Sequence, residues 1–435
     1  MNRSFSILSL LRWQRRSGLA FATLLLCLLP NIVMGRENLV SGSLTLRQEY
    51  DSNQDLTETD RRDAWLTTLL PGVEWSSRGP RDQWLLKYQA GLKKNHESGE
   101  NKLDHDLLLQ AYKQFSSRWQ AGLTNRFYHS DDPDYGGTAI EDVEEPISDR
   151  QTRGRFRTNN LGVNTTYQYG HDSNLGMGYN NVFLKSSGTD RDDFVRHNPY
   201  LDLAHQFNKN WRTEVGYAFI RGQFDESDDL KTHQGSLRLL LRATPHSQLF
   251  VDYTINETRY QGLSTDYLLH TGNTGTITDL GPHTTLEANV GLTAVERRGL
   301  DNLSTFSYAA DLVHLLEQGR LSFGGQGGID EMQFSSNGDS LVRYWQVEGS
   351  ASRQLMQGVH ADLALAVRHN KYIDRPTTEL EKIYQSNLGL TYTFARWYQV
   401  SLRYLFKQLD GESDNDYDRH HIFLELRLNR DLFNW

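Results

Sequence analysis

The residues of this chain best placed to do chemistry are charged side chains that alternate with apolar ones. Arg238 and Arg242 are interleaved with Leu237, Leu239 and Leu241, and Glu287 stands between Leu286 and Ala288. Arg212 and Glu214 fall at the opposite parity to Val215, Tyr217 and Phe219. Side chains alternate faces along a strand, so each run has one apolar and one polar face. By this rule Lys87, Arg126, Arg212, Glu214, Arg238, Arg242, Asp252, Glu287, Glu348, Asp362, Arg403, Glu425 and Arg427 share the polar face. They are the candidate pore-lining residues, and a one-residue slip would reverse any of them. Both signs are present, which predicts a transverse network of paired charges. Within it Lys87, Arg238, Arg242 and Arg403 are placed to guide anionic sugars or small anions. The plainer alternative is that these charges solvate a water-filled wall and pair with their neighbours.

Catalytic patterns are missing. There is no Gly-x-Ser-x-Gly, His-Glu-x-x-His or phosphate-loop motif, so no enzyme is expected. His129-Ser130-Asp131-Asp132 is read as a solvated rim rather than a catalytic group. Residues 130–151 hold Asp131, Asp132, Asp134, Glu141, Asp142, Glu144, Glu145 and Asp149. They form the longest connection, and long structureless loops tend to carry function; this one is expected to narrow a pore. Asp410, Glu412, Asp414, Asp416 and Asp418 also alternate. They lack the sixth-position glycine and the closing glutamate of a calcium loop, so no metal site is assigned. The sole cysteine, Cys27, lies in the leader. Disulfides, thiolate metal sites and haem attachment are thereby excluded, and no cofactor is expected.

The elements that must position these residues follow from the same alternation. Residues 1–35 read as a cleaved signal peptide: Arg3, Arg12, Arg15 and Arg16 precede an apolar core from Leu19 to Leu29, and Val33-Met34-Gly35 fits a cleavage site. Removing the four leader arginines leaves 42 basic against 55 acidic residues, a net charge of −13. That balance excludes a nucleic-acid partner. Mean hydropathy is only −0.64, and no later segment has 18 consecutive apolar residues, which excludes membrane helices. A transmembrane barrel reconciles low hydropathy with a bilayer, because only one face of each strand needs to be apolar.

Residues 36–435 therefore read as one all-β domain, an antiparallel up-and-down transmembrane barrel of about twenty strands, with eighteen as the alternative count. Tight turns such as Ser116-Ser117 and Thr244-Pro245-His246 alternate with longer polar loops. This rhythm predicts turns and both termini in the periplasm and loops outside the cell. Trp119, Trp211 and Trp397 each follow a tight turn, as an aromatic girdle would.

The last strand ends on Leu432-Phe433-Asn434-Trp435. It resembles the C-terminal signal of bacterial outer-membrane proteins that the barrel-assembly machinery recognises. The opening Gly42-Ser-Leu-Thr-Leu-Arg-Gln-Glu-Tyr-Asp-Ser-Asn53 and the ending Tyr417-Asp-Arg-His-His-Ile-Phe-Leu-Glu-Leu-Arg-Leu428 resemble the first strand and last hairpin of the "putative β-barrel porin type 2" group. That resemblance implies a Gram-negative outer-membrane channel assisting exopolysaccharide export, with lipopolysaccharide around it and periplasmic polysaccharide-export proteins as partners. A general or solute-selective diffusion porin is the alternative. A structural sheath for an electron-transfer or surface partner is the third reading.

Overall fold

The computed structural model describes residues 36–131, 155–187, 193–332, 334, 341–373, 380–411 and 416–435. The leader lies outside these residues. Twenty strands follow in order: β1 (Glu37–Asp51), β2 (Ala64–Arg78), β3 (Asp82–Asn95), β4 (Asn101–Gln114), β5 (Trp119–Ser130), β6 (Phe156–Gly170), β7 (Ser173–Ser186), β8 (Phe194–Gln206), β9 (Trp211–Phe224) and β10 (Leu230–Thr244). The second half runs β11 (Ser247–Tyr260), β12 (Tyr267–Gly281), β13 (Thr284–Arg297), β14 (Leu303–Leu316), β15 (Gly319–Glu331), β16 (Leu341–Met356), β17 (Val359–Tyr372), β18 (Leu380–Phe394), β19 (Tyr398–Gly411) and β20 (Tyr417–Asn434).

Each strand pairs antiparallel with the next, and β20 pairs with β1 from Leu39↔Asn434 to Asp51↔His421. The sheet is thus a closed barrel, which leaves no edge of unpaired backbone groups. The connections at the end bearing both termini are two to four residues long, and those at the other end run from five upward. Two-residue hairpin turns favour left-handed backbone; Asp172 (φ 54°) and Gly358 (φ 80°) supply it.

Alternation gives the wall two unlike faces. On β13, Val290 and Leu292 are 54% and 58% exposed, and Leu237, Leu239, Val251 and Tyr253 continue the same face across β10 and β11. An apolar surface running round the whole wall exceeds anything a water-soluble monomer shows, and it suits lipid. Leu237, midway along β10, is the place to test this. Leu237→Arg should destabilise the barrel by about 2–4 kcal/mol in lipid vesicles, as read by urea unfolding; an unchanged midpoint would contradict a lipid-facing assignment.

Candidate functional site

The inward face of the barrel is the candidate site. The ladder carries one parity from strand to strand, so residues opposite each other share a face. Glu74↔Lys87↔Leu108↔Arg126 runs across β2 to β5. Glu214↔Arg238↔Asp252↔Asn273↔Gly291 runs across β9 to β13. Asp362↔Gly389↔Arg403 continues the set on β17 to β19, and Glu425 and Arg427 lie opposite Arg47 and Thr45. Followed round the barrel, all thirteen candidate residues fall on this one face, opposite the exposed leucines.

The structure joins several of them. Arg238 donates to both carboxylate oxygens of Asp252 at 2.6 and 3.0 Å, and its guanidinium stands 3.6 Å from Glu287 and 4.4 Å over the Phe250 ring. Arg212 pairs with Glu214 at 2.8 Å. Arg126 makes a two-pronged pair with Asp106 at 3.2 and 3.1 Å, and Glu425 pairs with Arg47 while accepting from Ser401 at 3.3 Å. Gln346 donates to Glu348 at 2.9 Å. Asp362 folds over Gly389, where a Cβ would sit 2.3 Å from its carboxylate. No ion pair among the described residues joins Lys87, Arg242 or Arg427 to a partner.

Sequence reasoning missed the other half of this face. Toward the long loops the interior is packed, and much of it is apolar. Tyr267, Leu269, Val295 and Leu341 form one buried cluster, and Leu70, Tyr128, Phe156 and Leu184 another. Between them lie buried ion pairs. Arg419 donates to both oxygens of Asp51 at 3.0 and 2.7 Å, and His421 meets Glu49 at 3.2 Å. Lys93 bridges Asp104 (3.3 Å) and Asp131 (3.0 Å), and Asn370 donates to Glu381 at 2.9 Å. Buried charges persist only when paired in this way.

Two chain segments fill the loop-side mouth. In the connection after β1, Leu56 packs on Ile383, Leu409 and Tyr417 of the inner wall, and Asn53 donates to the Asp418 carbonyl at 3.0 Å. The second segment is the top of the β15–β16 hairpin. β14 pairs with β15 only as far as Tyr308↔Gly327, whereas β15 stays with β16 to Glu331↔Leu341. The hairpin top therefore parts from β14 while β16 holds it to β17 as far as Val342↔Tyr372. At the last paired position Gly327 leaves room for the Tyr308 ring, since a Cβ there would lie 2.6 Å from it. Inside, Glu331 accepts from Tyr267 at 2.8 Å and from Asn256. Phe334 packs between Phe194 and Phe224, with centroids 5.2 and 5.5 Å away, and beneath Arg196 at 5.0 Å. The segment expected to narrow the pore, 130–153, lies mostly outside the described residues. Its base does turn inward, with Asp131 held by Lys93 and Lys102.

The rim sequence His129-Ser130 has no catalytic geometry. Neighbours on a strand point to opposite faces: Ser130 donates inward to Asp104 at 3.1 Å, while His129 stacks on His105 on the outer face.

Comparison with known proteins agrees with this architecture. The family model described as Putative beta-barrel porin 2 matches residues 217–430. No curated protein sequence matches the chain. Among solved structures, the siderophore receptor PirA of Pseudomonas aeruginosa is 9% identical over 90% of this chain and 80% of its own, with a TM-score of 0.50. OpdK of Pseudomonas aeruginosa with vanillate is 12% identical over 90% of this chain and 99% of its own, with a TM-score of 0.42. OccAB4 of Acinetobacter baumannii is 13% identical over 92% and 100%, with a TM-score of 0.40. At 9% identity the likeness to PirA speaks to fold alone. Residues 217–430 match the Putative beta-barrel porin 2 family model, and the chain that closes them into one ladder with residues 37–216 is a porin-like β-barrel of the outer membrane.

Proposed function

We propose that this barrel is a channel through which a hydroxyl-rich, polysaccharide-type cargo leaves the periplasm, with the termini and short turns on the periplasmic side. The single observation that carries this reading is the asymmetry of the interior. At the turn end the charged wall is wet: the Arg212 and Glu287 side chains are 32% and 41% exposed. At the loop end Glu49 and Lys93 are 1% and 4% exposed. A cavity open toward the periplasm and packed toward the outside suits loading from within. Its paired charges of both signs, interleaved with Gln, Asn, Ser and Thr, suit a polar polymer better than a single-sign filter would. Periplasmic export proteins are the partners this reading implies, and barrel-assembly machinery and lipopolysaccharide the surroundings.

Deletion of the protein in its host should abolish surface polymer; unchanged polymer would overturn the reading. Solute-selective diffusion is the second reading, favoured by Lys87, Arg242 and Arg427, which would draw small anions. Planar-bilayer recording separates the two: large steady conductance from the purified barrel means diffusion, and a largely closed state means a partnered exporter.

A further inference from the structure

A repeated pair on the outer face marks a level on the wall. Tyr88, Tyr179, Tyr217, Tyr253 and Tyr404 are each the seventh residue of β3, β7, β9, β11 and β19. Each hydroxyl meets the Nδ1 of a histidine on the following strand, at 2.6 to 2.9 Å. The ladder places every one of these rings on the apolar, outer face. Below them on β10 come Leu237, Leu239 and Leu241, and on β20 come Ile422, Leu424 and Leu426. Amphipathic rings at the upper end of an apolar stripe mark the headgroup boundary.

Immediately above this belt the outer face is cationic. Lys231 lies directly opposite Arg221 on one side and Arg259 on the other. Opposed residues are about 5 Å apart at Cα, so three cations stand abreast across three strands. Arg221 is four residues beyond Tyr217, about 13 Å further along the strand. Arg157↔Lys185 and Arg343↔Lys371 repeat the arrangement elsewhere round the wall. Like charges directly opposite each other destabilise a sheet, so an unoccupied row works against the fold.

Among the described residues the local acids pair with only one member of this row, Arg259, and leave Arg221 and Lys231 without an ion pair. Glu257 pairs with Arg259 along its own strand. Asp228, in the loop above, accepts from Leu263 (2.7 Å) and from the Ser264 amide and hydroxyl (2.8 and 2.9 Å), and these bonds hold its carboxyl below the usual range. Asp229 accepts from the Phe224 amide at 3.0 Å. No ion pair among the described residues joins Arg221 or Lys231 to a carboxylate. Five inward cations, Arg47, Lys93, Arg126, Arg238 and Arg419, do carry one.

We propose that Arg221, Lys231 and Arg259 form a binding site for the phosphate groups of an outer-leaflet glycolipid. The Tyr–His pairs lie directly below it, with the Tyr217 hydroxyl 2.8 Å from Nδ1 of His233. Acyl chains then lie along the leucine stripe beneath. The assignment of the leaflet rests on the orientation proposed above; the binding chemistry does not.

The test uses the purified full barrel in detergent, where leaflets are absent, with bis-phosphorylated lipid A as probe and its dephosphorylated form as control. The wild type should bind the phosphorylated probe roughly a hundredfold more tightly than the Arg221→Gln/Lys231→Gln/Arg259→Gln variant, from three cations acting near a phosphate surface. Both proteins should keep heat-modifiable gel migration, which certifies the fold. Equal binding of the two probes, or of the two proteins, would overturn the proposal. Should the triple variant lose its fold, Arg221→Gln alone carries the test, with several-fold weaker binding expected and wild-type binding contradicting the site. If binding holds in detergent but the site faces the periplasm in cells, the orientation fails and the site stands.

Discussion

Phe334→Ala combined with Leu341→Ala should raise single-channel conductance several-fold. Phe334 reaches across the mouth to Phe194, Phe224 and Arg196, and Leu341 is 2% exposed within the Tyr267, Leu269 and Val295 cluster. Truncating a buried leucine removes about 2–5 kcal/mol, and a phenylalanine comparable packing. Together they shift the inward position of the hairpin by more than a thousandfold relative to a released one. The wall itself keeps its register, because β14 does not pair with β15 beyond Gly327. Conductance identical to wild type, in a barrel that still migrates as folded, would show that this hairpin does not close the mouth.

Asp51→Ala should be the most damaging single change to stability, by about 3–5 kcal/mol. It strands the Arg419 guanidinium, 4% exposed, without its two-pronged partner, and it removes the carboxylate that accepts from the Asn53 amide at 3.2 Å. The pair also spans the β20–β1 seam that closes the barrel. Replacing both members together, Asp51→Leu with Arg419→Met, should recover most of the loss, since a buried ion pair exchanged for apolar groups is often neutral. Urea unfolding in detergent micelles checks both. A double variant as unstable as the single one would mean that the pair acts through more than its own charges.

The fold was largely legible because one physical rule repeats twenty times. Where a strand crosses lipid on one side and water on the other, as at Leu286 to Leu292, period-two alternation states the face of every residue. The thirteen candidates fall on one face for that reason. Legibility ends where the interior stops being wet. Leu269, Val295, Ile383 and Leu409 are apolar yet point inward, because the loop-side half meets Leu56 and the β15–β16 hairpin rather than water. Alternation cannot distinguish two apolar environments. The parting of β15 from β14 left no trace in the alternation, because β15 keeps its pairing with β16 to Glu331↔Leu341. The Tyr–His belt was readable in principle as a tyrosine at the seventh strand position, but only once strand starts are known to the residue.

The only cysteine of the sequence, Cys27, lies in the segment expected to be cleaved, so single introduced thiols should report one position each. The central claim, an interior wet toward the periplasm and closed toward the outside, is tested most directly by Glu287→Cys with a membrane-impermeant maleimide. Intact cells should leave this thiol unmodified, and cells whose periplasm has been opened to the reagent should modify it fully. Modification from outside in intact cells would contradict the account.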